Sequence, residues 1–178
     1  HLLDYFAAAI LSLDSLTLNV KDGNHKISIS KKSYSSAKGS TIVIADETFK
    51  TFHIKDLRGT KGAHEIQLTA AGRVVKKSTI SFLAGSKIGS KDEEKFYLKT
   101  LVTSPFLDKV VNSTRSQFTG IPDKDEYADT ISLEKIYADV GNEIRRYISG
   151  IMPESLTAND KTISMVVEEL PHLAAVSD

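Results

Sequence analysis

Cysteine and tryptophan are absent from the 178 residues, proline occurs four times and methionine twice. Without cysteine the chain can form neither a disulfide nor a thiolate metal site, which is compatible with a reducing cytoplasm, the expected location. Long apolar runs are absent too. The longest, "YFAAAILSL", covers nine residues, whereas a membrane-spanning helix needs about 20, so no membrane partner is expected. That run has neither a basic leader nor a small-residue cleavage site and does not read as a signal peptide. Net charge is also missing, with 23 Lys and Arg against 23 Asp and Glu. The balance conceals an asymmetry. Residues 21–99 hold 16 basic against 8 acidic side chains, and residues 100–178 hold 7 against 13. A basic front of this kind would draw an anionic partner to one side of the molecule.

What is present is the composition of a folded domain, 40% apolar and 26% charged, enough to bury a real core. Leu2, Leu3, Phe6, Ala7, Ile10 and Leu11 recur at helical spacing from the first residues, with no capping residue ahead of them. A chain that opens on His1 in this way is expected to be a fragment of a longer protein. "SLTLNV" and "HKISIS" alternate around Asp22-Gly23, a pair suited to a tight hairpin. "KKSYSSAKGS" reads as a loop. "TIVIAD" and "TFKTFHIKDL" read as strands, the second with Phe49, Thr51 and His53 on one face and Phe52 and Ile54 on the other. "HEIQLTAAGRVVKKSTI" reads as a hairpin turning at Ala71-Gly72. "KFYLKTLVTSPFLDKVV" resumes strand chemistry, interrupted by Pro105.

From Thr130 the period lengthens. Ile131, Ile136, Val140, Ile144 and Ile148 predict a helix capped by Ser132 and ending near Gly150 and Pro153. "NDKTISMVVEEL" predicts a further helix. Helix, strands, then helices make an α+β fold, a mixed sheet with helices packed on one face.

Sites for free-standing catalysis are missing. His25, His53, His64 and His172 fall on different elements without ligand spacing, so no metal site is expected. There is no Gly-x-Ser-x-Gly elbow and no complete phosphate loop. Glu93-Glu94 and Glu168-Glu169 are adjacent pairs whose side chains diverge. Arg73, Lys76 and Lys77 form a basic strand stripe that could contact a nucleic-acid backbone, but without interleaved aromatics for base stacking.

Two segments carry a resemblance. "IQLTAAGRVVKKSTI" resembles the strand–turn–strand of the transducer, or middle, domain of the GHKL (histidine kinase-like) ATPases, where an "N-G-R" or "N-R-R" turn is followed by apolar residues. Ala71 stands here in place of the asparagine, with Gly72-Arg73 kept. About 35 residues on, "DKVVNSTR" resembles the superfamily's sensor loop, with Asp108, Val111, Asn112, Thr114 and Arg115 at the pattern positions. That superfamily includes the ninety-kilodalton heat-shock chaperones, MutL mismatch-repair proteins, type II topoisomerases and MORC proteins. The segments "HLLDYF" and "ISMVVEELPHL" look most like bacterial heat-shock-chaperone-like ATP-binding proteins.

The resemblance implies a transducer-type domain, ribosomal-protein-like in its βαβ arrangement, over residues 15–150. Residues 1–14 would be the connector helix from an ATP-binding domain, and 151–178 a C-terminal helical segment. It implies that Arg115 contacts the γ-phosphate of ATP held by a neighbouring N-terminal domain, with Asn112 and Thr114 shaping its loop and Asp108 orienting it. A guanidinium suits that task because it is always charged and can donate two bonds to one phosphate. ATP with magnesium would be bound mainly by the other domain, since this chain has no Glu…Asn helix and no Asp-x-Gly-x-Gly. The chain alone is not expected to hydrolyse ATP; the parent is expected to be an ATPase. That N-terminal domain is the expected partner, with a homodimer and nucleic acid as possible others. The alternative is a non-catalytic α+β interaction module, binding nucleic acid through Arg73, Lys76 and Lys77 or docking other proteins.

Overall fold

The computed structural model describes residues 7, 9–11, 16–23, 25–34, 37–57, 62–83, 85–89, 94–124 and 130–152. The helix expected from "NDKTISMVVEEL" lies outside the described residues, as does the C-terminal segment beyond Met152. Residues 7 and 9–11 are helical and are called α1. A separate hairpin follows, β1 (Leu18–Asp22) against β2 (His25–Ile29), with Asp22 paired to His25 and the turn starting at Gly23, φ 56°, one residue later than an Asp22-Gly23 turn. Part of the expected loop "KKSYSSAKGS" winds into a short 3₁₀ turn, Lys31–Tyr34, and its last residues already belong to the next strand.

Five strands form the main sheet: β3 (Lys38–Ile44), β4 (Glu47–Asp56), β5 (Glu65–Ala70), β6 (Arg73–Thr79) and β7 (Tyr97–Thr103). Their order is β3-β4-β7-β5-β6. β7 therefore inserts between strands made earlier, antiparallel to β4 and parallel to β5, and the sheet is mixed as expected. Being central, β7 is buried on both faces, which is why "YLKTLVT" lacks a clean alternation.

Two helices follow. Residues 107–111, expected to continue as strand, instead belong largely to α2 (Pro105–Val110). Strand propensity of the valines is overridden by local chemistry. Ser104 at φ −157° caps the turn by accepting from the Phe106 amide at 3.1 Å, and Pro105 occupies the first helical position, where a missing N–H costs nothing. The Ser104 hydroxyl in turn donates to the Thr48 carbonyl at 2.8 Å, fixing the helix start to β4. The longer α3 (Leu133–Ile151) starts at Ser132, whose hydroxyl accepts from the Lys135 amide at 3.0 Å. It runs through Gly150 and is capped at Met152.

Leu133, Ile136, Val140, Ile144 and Ile148 of α3 pack on one face of the sheet against Ile42, Ile44, Phe49, Ile66, Leu68, Leu98 and Val102. Burying these side chains at about 1.5–3 kcal/mol each makes this layer the main stabilising unit. Helical cover is not confined to that face. Ala7 and Leu11 of α1 cluster with Leu101, Phe52 and Ile54, which alternation places on the opposite face. The sheet thus lies between α3 and α1.

A candidate anion-binding recess

Parallel pairing of β5 with β7 brings their carboxyl ends, Ala70 and Thr103, to the same edge of the sheet. The β5–β6 turn and the start of α2 consequently meet there. Ala71 and Gly72 have φ of 47° and 78°, the two positive values of a tight hairpin turn. Glycine is required at 72, since a Cβ there would lie 2.9 Å from the Ala9 Cβ of α1. Ala71, without that freedom, is held by Asp108: its amide donates to Asp108 Oδ1 at 2.7 Å. Ala71 therefore occupies a left-handed position, which asparagine adopts more readily than alanine.

From α2 the chain enters a closed loop. Val111 and Phe118 form a bridge across its neck. The Asn112 amide donates to the Gln117 carbonyl at 3.0 Å, and the Thr119 amide to the Val110 carbonyl at 2.7 Å. Inside the loop, Asn112 Oδ1 accepts from the Ser116 amide at 2.9 Å, and Asn112 Nδ2 donates to Ser116 Oγ at 3.1 Å. Thr114 Oγ1 lies 2.9 Å from Ser116 Oγ. At the tip the Arg115 amide donates to the Asn112 carbonyl at 2.9 Å, with φ at 56°. A non-glycine residue in this region is uncommon and persists only where its surroundings fix it. Asn112 and Thr114 point inward to bonds within the loop, and the exposed Arg115 is carried on a rigid mount.

Two recesses adjoin the turn. One, of about 430 Å³, is lined by Thr48, Lys50, Thr103, Ser104 and Asp108 together with the turn. The other, of about 310 Å³, is lined by Ala9, Ile10, Leu16 and Leu18 on its apolar side and by both Arg73 and Arg115. The two share Ala9, Ala71 and Gly72. Two sequence segments some 35 positions apart thus converge on one spot through the Asp108–Ala71 bond. The arginine-lined recess suits a phosphate. Asp108, the one carboxylate among the described residues of the neighbouring recess, is already engaged by the turn. Among the described residues no group of three His, Cys, Asp or Glu gathers to hold a metal ion.

Of the basic strand residues, Lys76 pairs with Leu68 and Lys77 with Gln67 across the ladder, so their side chains leave opposite faces. Lys76 Nζ lies 3.5 Å from Asp123, and Lys77 Nζ 3.6 Å from Glu65. Arg73, Lys76 and Lys77 are not one continuous patch.

A second polar assembly lies beneath α3 and was not evident in the sequence. Ser40 on β3 donates to Glu143 Oε1 at 2.5 Å, and Arg146 Nη2 holds Glu143 Oε2 at 3.1 Å. With its hydrogen so used, Ser40 accepts from Thr51, 2.7 Å away. His53, buried on β4, stacks on Tyr147 with ring centres 4.4 Å apart, and its Nδ1 lies 3.0 Å from Thr100 Oγ1. Its Nε2 makes no hydrogen bond and faces Glu143 Oε1 at 3.9 Å. That placement puts the ring proton on Nε2 and leaves Nδ1 to accept from Thr100. Burial pulls the His53 pKa down from 6.5 to about 4, opposed by the Glu143 carboxylate. The available signal was Glu143 itself, an acid within the apolar stripe of α3, opposite the alternating Phe49, Thr51 and His53.

His64 is also structural. Its Nδ1 accepts from the Leu98 amide at 2.9 Å, so its Nε2 carries the proton and donates to the Ser86 carbonyl at 2.9 Å. Burial lowers its pKa.

No protein-family model, curated protein or solved structure matches the chain. Among the described residues no helix is long and apolar enough to cross a membrane.

Proposed function

We propose that this chain is the transducer domain of a chaperone-like GHKL ATPase, working in the cytoplasm beside an N-terminal ATP-binding domain. Arg115 then contacts the γ-phosphate of ATP held with magnesium by that neighbour, and hydrolysis is coupled to movement between the domains. What carries the reading is the meeting of its two motif segments. The Gly72-Arg73 turn and the Arg115 loop are joined through Asp108 and open onto one recess. When bound, ATP supplies the phosphoryl group. The chain's own part is a fixed guanidinium that stabilises charge on that group and reports its presence to the sheet. The contact of Gly72 with Ala9 links the recess to α1, the connector in this reading.

The test is ATP turnover by a protein in which the ATP-binding domain precedes this chain. Arg115→Ala should lower turnover at least tens-fold while leaving nucleotide affinity largely intact. Unchanged turnover would remove the proposal. The nucleic-acid alternative draws less support, because Lys76 and Lys77 leave opposite faces and lie beside carboxylates.

A further inference from the structure

We infer that Arg73 is a second anion-contacting residue, so that the recess takes a phosphate group between two guanidiniums. This rests on the reading of the recess as a phosphate site and adds a residue that its sensor loop does not contain. Arg73 is the first residue of β6 and pairs directly with Ala70 across the two-residue turn. Its backbone is therefore as firmly placed as that of Arg115. Both residues line one recess from different elements, Arg73 from the hairpin and Arg115 from the loop after α2.

The remaining described lining favours an anion. Ala9, Ile10, Leu16 and Leu18 provide apolar walls, and no described carboxylate lines this recess. Apolar walls exclude water and strengthen the attraction between a guanidinium and a phosphate oxygen. Both anchors have backbones set by bonds made before any ligand arrives, so binding orders the side chains and not the chain that carries them. A terminal phosphoryl group has three non-bridging oxygens, enough to accept from two arginines at once. Lys50 and Asp108 belong to the adjoining recess and are not needed for this contact.

The probe is tripolyphosphate, titrated into the 178-residue chain at low salt and followed by calorimetry. The unsubstituted chain should bind it with an affinity that weakens as salt is raised. Arg73→Ala and Arg115→Ala should each weaken binding about tenfold, the loss expected for one charge-assisted contact. Lys76→Ala, which removes a cation of the same strand outside the recess, should change affinity less than twofold. Should Arg73→Ala fail to fold, Arg73→Lys carries the test. It keeps the charge but loses the fork, and should weaken binding about threefold.

An Arg73 variant that binds as tightly as the unsubstituted chain overturns the inference, whatever Arg115→Ala does. No binding by the unsubstituted chain overturns it as well. An Arg115→Ala loss beside an unchanged Arg73 variant leaves the Arg115 reading standing. A failure of that reading shows separately, as unchanged turnover in the Arg115→Ala ATPase.

Discussion

The seam beneath α3 and the recess at the β5–β6 turn both hold ionisable side chains, and they treat them in opposite ways. In the seam, Glu143 is bonded by Ser40 and Arg146, and His53 is pushed toward neutrality by burial. Its groups come from β3, β4, β7 and α3, and they fasten the helix to the sheet. At the recess Arg115 is exposed on a backbone position that an arginine rarely adopts. In the seam the polar groups other than His53 Nε2 find partners within the fold, whereas at the recess an uncommon backbone conformation holds an exposed charge. A buried histidine beside a glutamate could pass for a catalytic pair. The bonds around it are those of a structural tie, while the less conspicuous surface arginine is the one proposed as a contact.

The largest effect should come from the seam. Because the folded-state pKa of His53 lies below its unfolded value, the unfolded chain binds more protons between pH 6.5 and about 4. The corresponding stability is present above pH 6.5 and is lost as pH falls to about 4. The drop amounts to about 3 kcal/mol from this group. Urea unfolding of the chain and of His53→Phe at pH 7 and pH 4 checks it. The variant keeps the stack on Tyr147 without a titrating ring, and should lose less stability on acidification. Equal losses would show that His53 is not held neutral by the fold.

A smaller loss should follow Thr100→Val, which removes the donor to His53 Nδ1 without changing shape. Leaving that buried nitrogen unmatched should cost about 1–3 kcal/mol in the same measurement. No loss would mean that the seam's bonds are not what fastens α3.

The smallest change in stability should come from the recess, level or of opposite sign. Arg115→Gly suits a φ of 56°, so stability should stay level or rise by up to about 1 kcal/mol. Tripolyphosphate binding should weaken about tenfold in the same protein, since the guanidinium is gone. If stability falls by more than about 1 kcal/mol, Arg115 is a structural residue and the contrast between the two regions fails.

Much of the fold was legible because local chemistry and the final structure agree. Gly23 and Ala71-Gly72 sit in turns, the alternation through Phe49, Thr51 and His53 faces α3, and Ser132 caps a helix whose four-residue period matches its buried stripe. The misread segment followed Pro105, where the valines suggested strand while Ser104 and Pro105 specified a helix start. The order of the sheet was not legible either, since nothing local in β7 says that it inserts between β4 and β5.

By itself the sequence determined the α+β character, the two glycine turns, the apolar face of α3 and the Asn112, Thr114 and Arg115 pattern. These depend on neighbours within a few positions, where backbone sterics, capping and periodicity act. Tertiary structure alone decided that Arg73 and Arg115 share a recess, that Asp108 ties the two segments together, and that His53 meets Glu143. Those encounters join residues from 37 to 90 positions apart. Only parallel pairing of β5 with β7, and the packing of α3 across the sheet, brings them within reach.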